Sequence, residues 1–99
     1  MVENTKIIER QDQKLHVPKK YNIIFHNDDY TPFEFVEELL MTAFNKTTQE
    51  AAAISQNIHK TGIGIAGTYS YDVAETKLAL VNNIVSKTEY PLLITMEKE

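Results

Sequence analysis

Three short polar side chains follow one another in the segment of this sequence best suited to chemistry, at Asn27, Asp28 and Asp29. An apolar run precedes them. Thr31–Glu34 follows, with a Thr to cap a helix, a Pro at its first position and a Glu for a capping box. Carboxylate and amide oxygens accept hydrogen bonds, so this group suits a positively charged ligand. We therefore expect the three side chains to lie on a rigid turn between a strand and a helix.

The composition limits the classes of protein to which the sequence can belong. Its 99 residues, 42% of them hydrophobic, suit a single globular domain with one core. No segment approaches the roughly 18 apolar residues of a membrane span. The absence of cysteine excludes disulfides and thiol chemistry. The first residues lack the apolar stretch of a signal peptide, so we expect a cytoplasmic protein that does not enter a membrane.

Charge divides the chain into two parts. Residues 1–20 carry five basic and three acidic side chains, whereas residues 21–99 carry five basic and eleven acidic ones. An acidic body argues against nucleic-acid binding, which needs a clustered basic face. The first part also lacks a sustained apolar period. We therefore expect a flexible N-terminal extension at residues 1–20 and a folded domain at residues 21–99.

The spacing of apolar residues predicts six elements in the order strand, helix, helix, strand, helix, strand. Their expected bounds or signals are a strand at Tyr21–His26, a helix at about Pro32–Asn45, a helix from the capping box at Thr47 to Gly62, a strand at Ile63–Tyr69, a helix capped by Ser70 and a strand at Leu92–Met96. The buried stripe of the last helix is expected at Val73, Leu78, Val81 and Ile84 or Val85. Short connections make this one small α+β domain.

This order brings distant residues together. The first two helices have similar lengths and a very short link, so the second should return antiparallel and bring His59 beside the turn. Asn27, Asp29 and His59 would then offer converging acceptors to an ammonium group, which has three donors and no acceptor. Apolar neighbours such as Phe33 and Ile58 could wall a hole beside them. Such a site suits the first residue of a peptide with a hydrophobic side chain.

At these positions the sequence resembles the ClpS adaptor family of bacteria and plastids. The resemblance covers about residues 20–98 and rests on Asn27–Pro32 (NDDYTP), Glu34–Val36 (EFV), His59, Val73–Lys77 (VAETK) and Pro91–Leu93 (PLL). It implies a fold like the C-terminal domain of the ribosomal stalk protein. It also implies a bacterial adaptor, not an enzyme, that binds N-degrons, substrates beginning with Leu, Phe, Tyr or Trp. The adaptor would hand them to an AAA+ unfoldase, ClpA or ClpC, which works with the ClpP protease.

The resemblance implies a role for each candidate residue. The α-amino group would be held by Asn27, Asp29 and His59, with Asp28 beside them. The side-chain pocket would be walled by His26, Thr31, Phe33, Val36, Ser55, Ile58 and Leu92. Asp72 and Lys77 would face the unfoldase. Relatives commonly have an aliphatic residue at position 26 and Met at positions 33 and 55, so the ranking of first residues should differ here. We expect a monomer with neither metal nor cofactor.

Other interpretations of the same residues remain open. Asp28 and Asp29 could be ordinary turn residues, and His59 could interact with the dipole of its helix end. One competing class is a metal-dependent hydrolase built on His26, Asp28, Asp29 and His59, although no HExxH-type spacing accompanies them. Another is a purely structural interaction module without a pocket.

Overall fold

The computed structural model describes residues 19–99, so the extension expected at residues 1–20 lies almost wholly outside the described residues. The six elements in chain order are β1 Lys20–His26, α1 Phe33–Phe44, α2 Thr48–Thr61, β2 Ile63–Ser70, α3 Tyr71–Ser86 and β3 Leu93–Lys98. Both the order and the α+β class agree with the sequence prediction. The first strand begins at Lys20, one residue before the expected domain boundary.

β1 is the central strand of the three-stranded sheet, so its last residue lies in the middle of one edge of the sheet. Its strand order is β2-β1-β3, and both pairings are antiparallel. His26, the last residue of β1, pairs with Ile63 at the start of β2 and with Leu93 at the start of β3. The turn after β1 therefore leaves the sheet where the chain enters both neighbouring strands.

The helices cover one face of this sheet and enclose the core. Ile23 and Phe25 of β1 are fully buried there, together with Leu40 of α1 and Val81 of α3. The rings of Phe25 and Phe44 meet edge to face with centroids 5.7 Å apart, a favoured geometry for aromatic pairs. On the opposite face of the sheet, aliphatic side chains such as Ile65 stay about half exposed.

Both ends of α2 form as the sequence predicts. Thr47 and Glu50 form the predicted capping box, with the Thr47 hydroxyl accepting from the Glu50 amide and the Glu50 carboxylate accepting from the Thr47 amide. Gly62 ends the helix in the left-handed conformation at φ 98°, which a residue without Cβ adopts readily. Asn45 ends α1 in the same conformation at φ 57°.

Two local expectations were wrong, and a third was confirmed only in part. Thr31 does not cap α1, because Pro32 occupies the N-cap position with extended backbone and makes no side-chain bond there. The Thr31 hydroxyl donates to the Asp28 carboxylate instead, and the helix starts at Phe33, two residues after Thr31. Ser70 does hold the N-cap position of α3, but its side chain makes no capping bond. Val73 is 44% exposed, and its neighbour Ala74 takes the buried position.

Candidate functional site

A pocket lies where the turn after β1 meets α1, α2 and the segment just before β3. It encloses about 280 Å³ of empty space, its open mouth included. The nine lining residues are His26, Asn27, Asp28, Thr31, Phe33, Val36, Ser55, Ile58 and Leu92. All seven residues expected to wall a side-chain pocket are therefore neighbours, and two of the residues expected at the amine lie beside them.

The turn that forms one side of the pocket is tied to the end of α2. The backbone amide of Asn27 donates to the carbonyl of Gly62 over 2.9 Å. The rings of Phe33 and His59 lie 5.5 Å apart, inclined at 66°. The end of α2 therefore does return beside the start of α1, as the helix lengths predicted.

Asp28 is the residue that shapes the turn. One carboxylate oxygen accepts from the amides of Tyr30 at 2.8 Å and Thr31 at 2.7 Å, and the other accepts from the Thr31 hydroxyl at 2.8 Å. Partial burial acts to raise the pKa of Asp28, but these hydrogen bonds stabilise the charged form and together hold the pKa below its usual value. The same bond to Asp28 explains how the Thr31 hydroxyl is used without capping α1.

Asp29 and His59 lie next to lining residues but outside the lining itself. Both are exposed. Among residues 19–99, no hydrogen bond engages the Asp29 carboxylate, in contrast to the three at Asp28. The adjacent Tyr30 is 78% exposed. An unpaired carboxylate and an exposed aromatic ring thus stand together outside the pocket mouth.

The deeper walls are mostly apolar. Val36, Ile58 and Leu92 are 7%, 5% and 6% exposed, whereas Phe33 is 42% exposed and stands nearer the solvent. Ser55 is the exception, because it is only 3% exposed and its hydroxyl has no hydrogen-bond partner among the described residues. A buried hydroxyl without a partner is uncommon in proteins.

The position of Ile58 depends on a close approach of α2 to β2. A Cβ added at Gly64 would lie 2.5 Å from Cγ1 of Ile58 and 3.3 Å from Cγ2 of Ile54. Glycine at this position therefore lets the helix lie directly against the strand and keeps Ile58 at the pocket wall.

One contact near the site was missed at the sequence level. His26 Nε2 lies 2.8 Å from the hydroxyl of Thr95 on β3, which holds the ring against that strand. Thr95 pairs with Ile24, so it is the diagonal neighbour of His26 on the same side of the sheet. Predicting this contact requires the register of β3 against β1, which could not be derived from the sequence alone.

The hydrolase interpretation finds little support in the geometry. Within residues 19–99, no group of three or more His, Asp or Glu side chains is arranged to hold a metal ion. Two of the four proposed ligands are also engaged elsewhere, His26 with Thr95 and Asp28 with its own turn.

The described helices include none with the length and apolar character that a membrane crossing requires.

The two residues expected at the unfoldase surface have different environments. Asp72 is exposed in the first turn of α3. Lys77 is half-buried, and its ammonium donates to the carbonyl of Ala43 over 2.9 Å while lying over the rings of Phe44 and Tyr69. A cation near the last carbonyls of a helix is stabilising, so Lys77 links α3 to the end of α1. The expected role of Lys77 at the unfoldase surface stays a prediction, and the side chain has this packing role within the domain as well.

A second concavity is more open and lies along α2 and β2. Its lining includes Ala53, Ile54 and Ile65, and its empty space is about 750 Å³ with the surrounding solvent. No titratable side chain lines it. The first pocket therefore has the stronger claim to recognise a charged ligand.

Comparison with known proteins assigns this chain to a family. The family described as "ATP-dependent Clp protease adaptor protein ClpS" matches residues 16–95. An adapter protein of that name from Clostridium acetobutylicum is 49% identical over 87 residues, which cover 88% of this chain and 86% of the relative. Its counterpart from Acetivibrio thermocellus is 40% identical over 99 residues, the full length of both proteins.

A solved structure has the same fold. Agrobacterium tumefaciens ClpS2 bound to L-phenylalaninamide superimposes with a TM-score of 0.79 at 31% sequence identity, covering 84% of this chain and 100% of that one. The family match spans most of the chain, and the curated relatives are well above 30% identical over nearly their whole length. The chain therefore belongs to the ClpS family of adaptor proteins of the ATP-dependent Clp protease.

Proposed function

We propose that this protein binds the first residue of a peptide or protein, with the α-amino group at the pocket mouth and the side chain inside. The observation that carries the proposal is the convergence of nine residues from separate parts of the chain on one small pocket. Polar groups lie on its turn side and mostly aliphatic groups form its deeper walls. The solved relative supports the proposal, because the L-phenylalaninamide bound to it has a free amine beside an aromatic side chain.

The amine is held by the acceptors around the turn. Asn27 contributes an amide oxygen, Asp29 contributes a carboxylate that has no other partner within residues 19–99, and His59 contributes a ring nitrogen. Asp28 supports them, and its three bonds leave about one of its four acceptor positions free for the ligand. Asp29 provides the largest part of the attraction, because charge-assisted hydrogen bonds are about twice as strong as neutral ones.

The walls select a hydrophobic first side chain. Burying one Leu or Phe side chain contributes about 1.5–3 kcal/mol, and Val36, Ile58 and Leu92 offer the apolar surface for it. The volume of about 280 Å³ includes open solvent at the mouth, so the enclosed part of the pocket is smaller than that figure. A single side chain fits that size better than a longer segment of peptide.

Binding of short labelled peptides tests this proposal. A peptide with a free N-terminal Phe should bind in a saturable way, and its N-acetylated twin should bind at least about tenfold more weakly. Acetylation removes the charge of the amine and leaves the acceptors around the turn without their charged donor. A third peptide with Glu as its first residue controls for the apolar walls. Equal binding of all three peptides would refute the proposal and leave a module that interacts without this pocket.

We further propose that the protein is a monomeric adaptor that delivers substrates to a ClpA- or ClpC-type AAA+ unfoldase working with ClpP. The curated relatives, named as adapters of the ATP-dependent Clp protease, support this role. The adaptor acts in the bacterial cytoplasm, where such a partner has ATP, and its role is to bind and deliver substrates without catalysing a reaction itself. Asp72 provides an exposed docking charge on α3, and Lys77 fixes the orientation of α3 relative to α1.

Degradation of a reporter that begins with Phe tests delivery. Asp72→Lys should slow degradation and spare peptide binding, whereas Glu89→Lys, exposed beyond the opposite end of α3, should change neither. Removal of residues 1–18 should likewise spare binding but stop degradation, if the N-terminal extension serves delivery. Full degradation with the truncated protein would leave the extension without that role.

A further inference from the structure

The unpartnered hydroxyl of Ser55 is the starting point for an inference about which first residue the pocket prefers. Ser55 is 3% exposed, it lines the pocket, and its Oγ has no hydrogen-bond partner among residues 19–99. Serine in a helix often bonds to a backbone carbonyl one turn earlier, but Ser55 makes no such bond. Its hydroxyl therefore remains available, as both donor and acceptor, to whatever enters the pocket.

The position of Ser55 along α2 sets the depth at which this hydroxyl acts. His59, expected at the amine, lies four residues nearer the end of α2, which corresponds to about 6 Å along a helix axis. Ser55 thus lies about one helical turn beyond His59, on the side away from the expected position of the amine. The hydroxyl should be met by the far end of a long first side chain and not by a group close to its backbone.

We infer that Ser55 makes the pocket prefer an N-terminal tyrosine over phenylalanine, through a hydrogen bond between its Oγ and the phenol hydroxyl. The phenol oxygen is the atom of tyrosine furthest from the α-amino group, so it reaches the depth at which Ser55 lies. Phenylalanine fills the same space but leaves the serine hydroxyl unpaired beneath an apolar ring. The inference rests on the proposed function, since it requires that the pocket receive a first side chain.

The expected preference for Tyr over Phe follows from the net free-energy contribution of one hydrogen bond. A neutral hydrogen bond that is made in place of an unpaired group changes affinity about three- to tenfold. Phe and Tyr differ by one oxygen atom, so any movement of the walls needed to admit an aromatic ring is common to both and cancels in their ratio.

A two-by-two comparison of ligands and variants tests the inference. Peptides that differ only in Phe or Tyr at the first position are titrated into the wild-type protein, Ser55→Ala and Ser55→Cys. The wild type should bind the Tyr peptide about three- to tenfold more tightly. Ser55→Ala removes the hydroxyl and should bring the ratio close to one, partly by strengthening Phe binding. Ser55→Cys keeps a similar volume with a weak hydrogen-bonding group and should also lose most of the preference.

The possible failures are distinguishable. A Tyr-to-Phe ratio that is the same in all three proteins overturns the inference and leaves the proposed function standing. A wild type that binds neither peptide overturns the proposed function itself. Thermal unfolding serves as the folding control: Ser55→Ala should be at least as stable as the wild type, because it removes an unpaired buried hydroxyl. A large loss of stability would show that Oγ has a partner within the protein and would also overturn the inference.

Discussion

The neighbouring residues Asp28 and Asp29 should respond to the same substitution in opposite ways. Asp28→Ala should destabilise the protein, because its carboxylate accepts three hydrogen bonds of 2.7–2.8 Å from its own turn. Asp29→Ala should leave stability unchanged and remove ligand binding, because within residues 19–99 its carboxylate has no bond to lose. The two variants therefore distinguish Asp28, which stabilises the turn, from Asp29, which lies on the turn and binds the ligand.

The size of each effect follows from these contacts. Three bonds to a partly exposed carboxylate, each at the lower end of the usual range, stabilise the fold by about 1.5–2 kcal/mol in total. For a domain of this size that corresponds to a fall in melting temperature of roughly 6–16 °C. An exposed substitution such as Asp29→Ala should stay within about 0.5 kcal/mol of the wild type. Loss of its charged bond to the amine should weaken binding by about 1.5–3 kcal/mol, or roughly ten- to 150-fold.

Circular dichroism melting and fluorescence anisotropy with a Phe-initiated peptide measure the two effects. Binding is compared at a temperature at which every variant is folded. Asp28→Asn and Asp29→Asn serve as matched controls, since each keeps the shape and removes the charge. The reasoning is refuted if Asp29→Ala binds the peptide like the wild type, or if Asp29→Ala melts as early as Asp28→Ala.

Three further predictions concern the same turn and pocket. Partial burial acts to raise the pKa of Asp28, but its three hydrogen bonds keep the pKa below the usual value. Its carboxylate therefore stabilises the fold fully above the unfolded-state pKa of about 3.9, and that contribution is lost as the pH falls through the lower folded-state pKa. Urea unfolding of the wild type and Asp28→Asn should accordingly converge in strong acid, and a constant difference would contradict this. Phe33 is a stiff ring near the pocket mouth, so the wild type should reject the branched β carbon of an N-terminal Ile, and Phe33→Ala should accept it; equal wild-type affinity for Ile and Leu peptides argues against such a gate. Gly64→Ala should cost about 1–3 kcal/mol and weaken peptide binding, because its new Cβ overlaps Ile58 of the pocket wall. Gly62→Ala, at φ 98° with open space around it, should cost about 1–2 kcal/mol from backbone strain and spare binding, so equal binding losses would point away from the overlap at Gly64.

The element order could be predicted from the sequence because its signals are local. Thr47, Glu50 and Gly62 determine both ends of α2 through bonds within a few residues, and the structure retains all of them. The start of α1 was not predicted correctly, because the capping pattern does not show how the preceding turn folds. Asp28 holds the Thr31 hydroxyl within that turn, and the extended backbone of Pro32 places the N-cap one residue later.

The residues that line the pocket could be predicted more fully than the hydrogen bonds that its polar groups make or lack. Helix lengths and family resemblance brought Phe33 and His59 together, and their rings do meet. The free hydroxyl of Ser55 could not be foreseen, because a missing partner depends on every atom around it. The bond from His26 to Thr95 likewise required the register of β3 against β1.

Lys77 shows why a residue's position along a helix does not determine its role. The sequence places it on α3, where a charged residue would ordinarily belong to a solvated face. Its long side chain nevertheless reaches the carbonyl of Ala43 and lies over two aromatic rings. The apolar stem of a lysine can cover buried surface while its ammonium finds an acceptor, so a charged residue in a surface motif can stabilise packing as well. A loss of delivery in a Lys77 variant would therefore indicate docking only if α3 kept its position against α1.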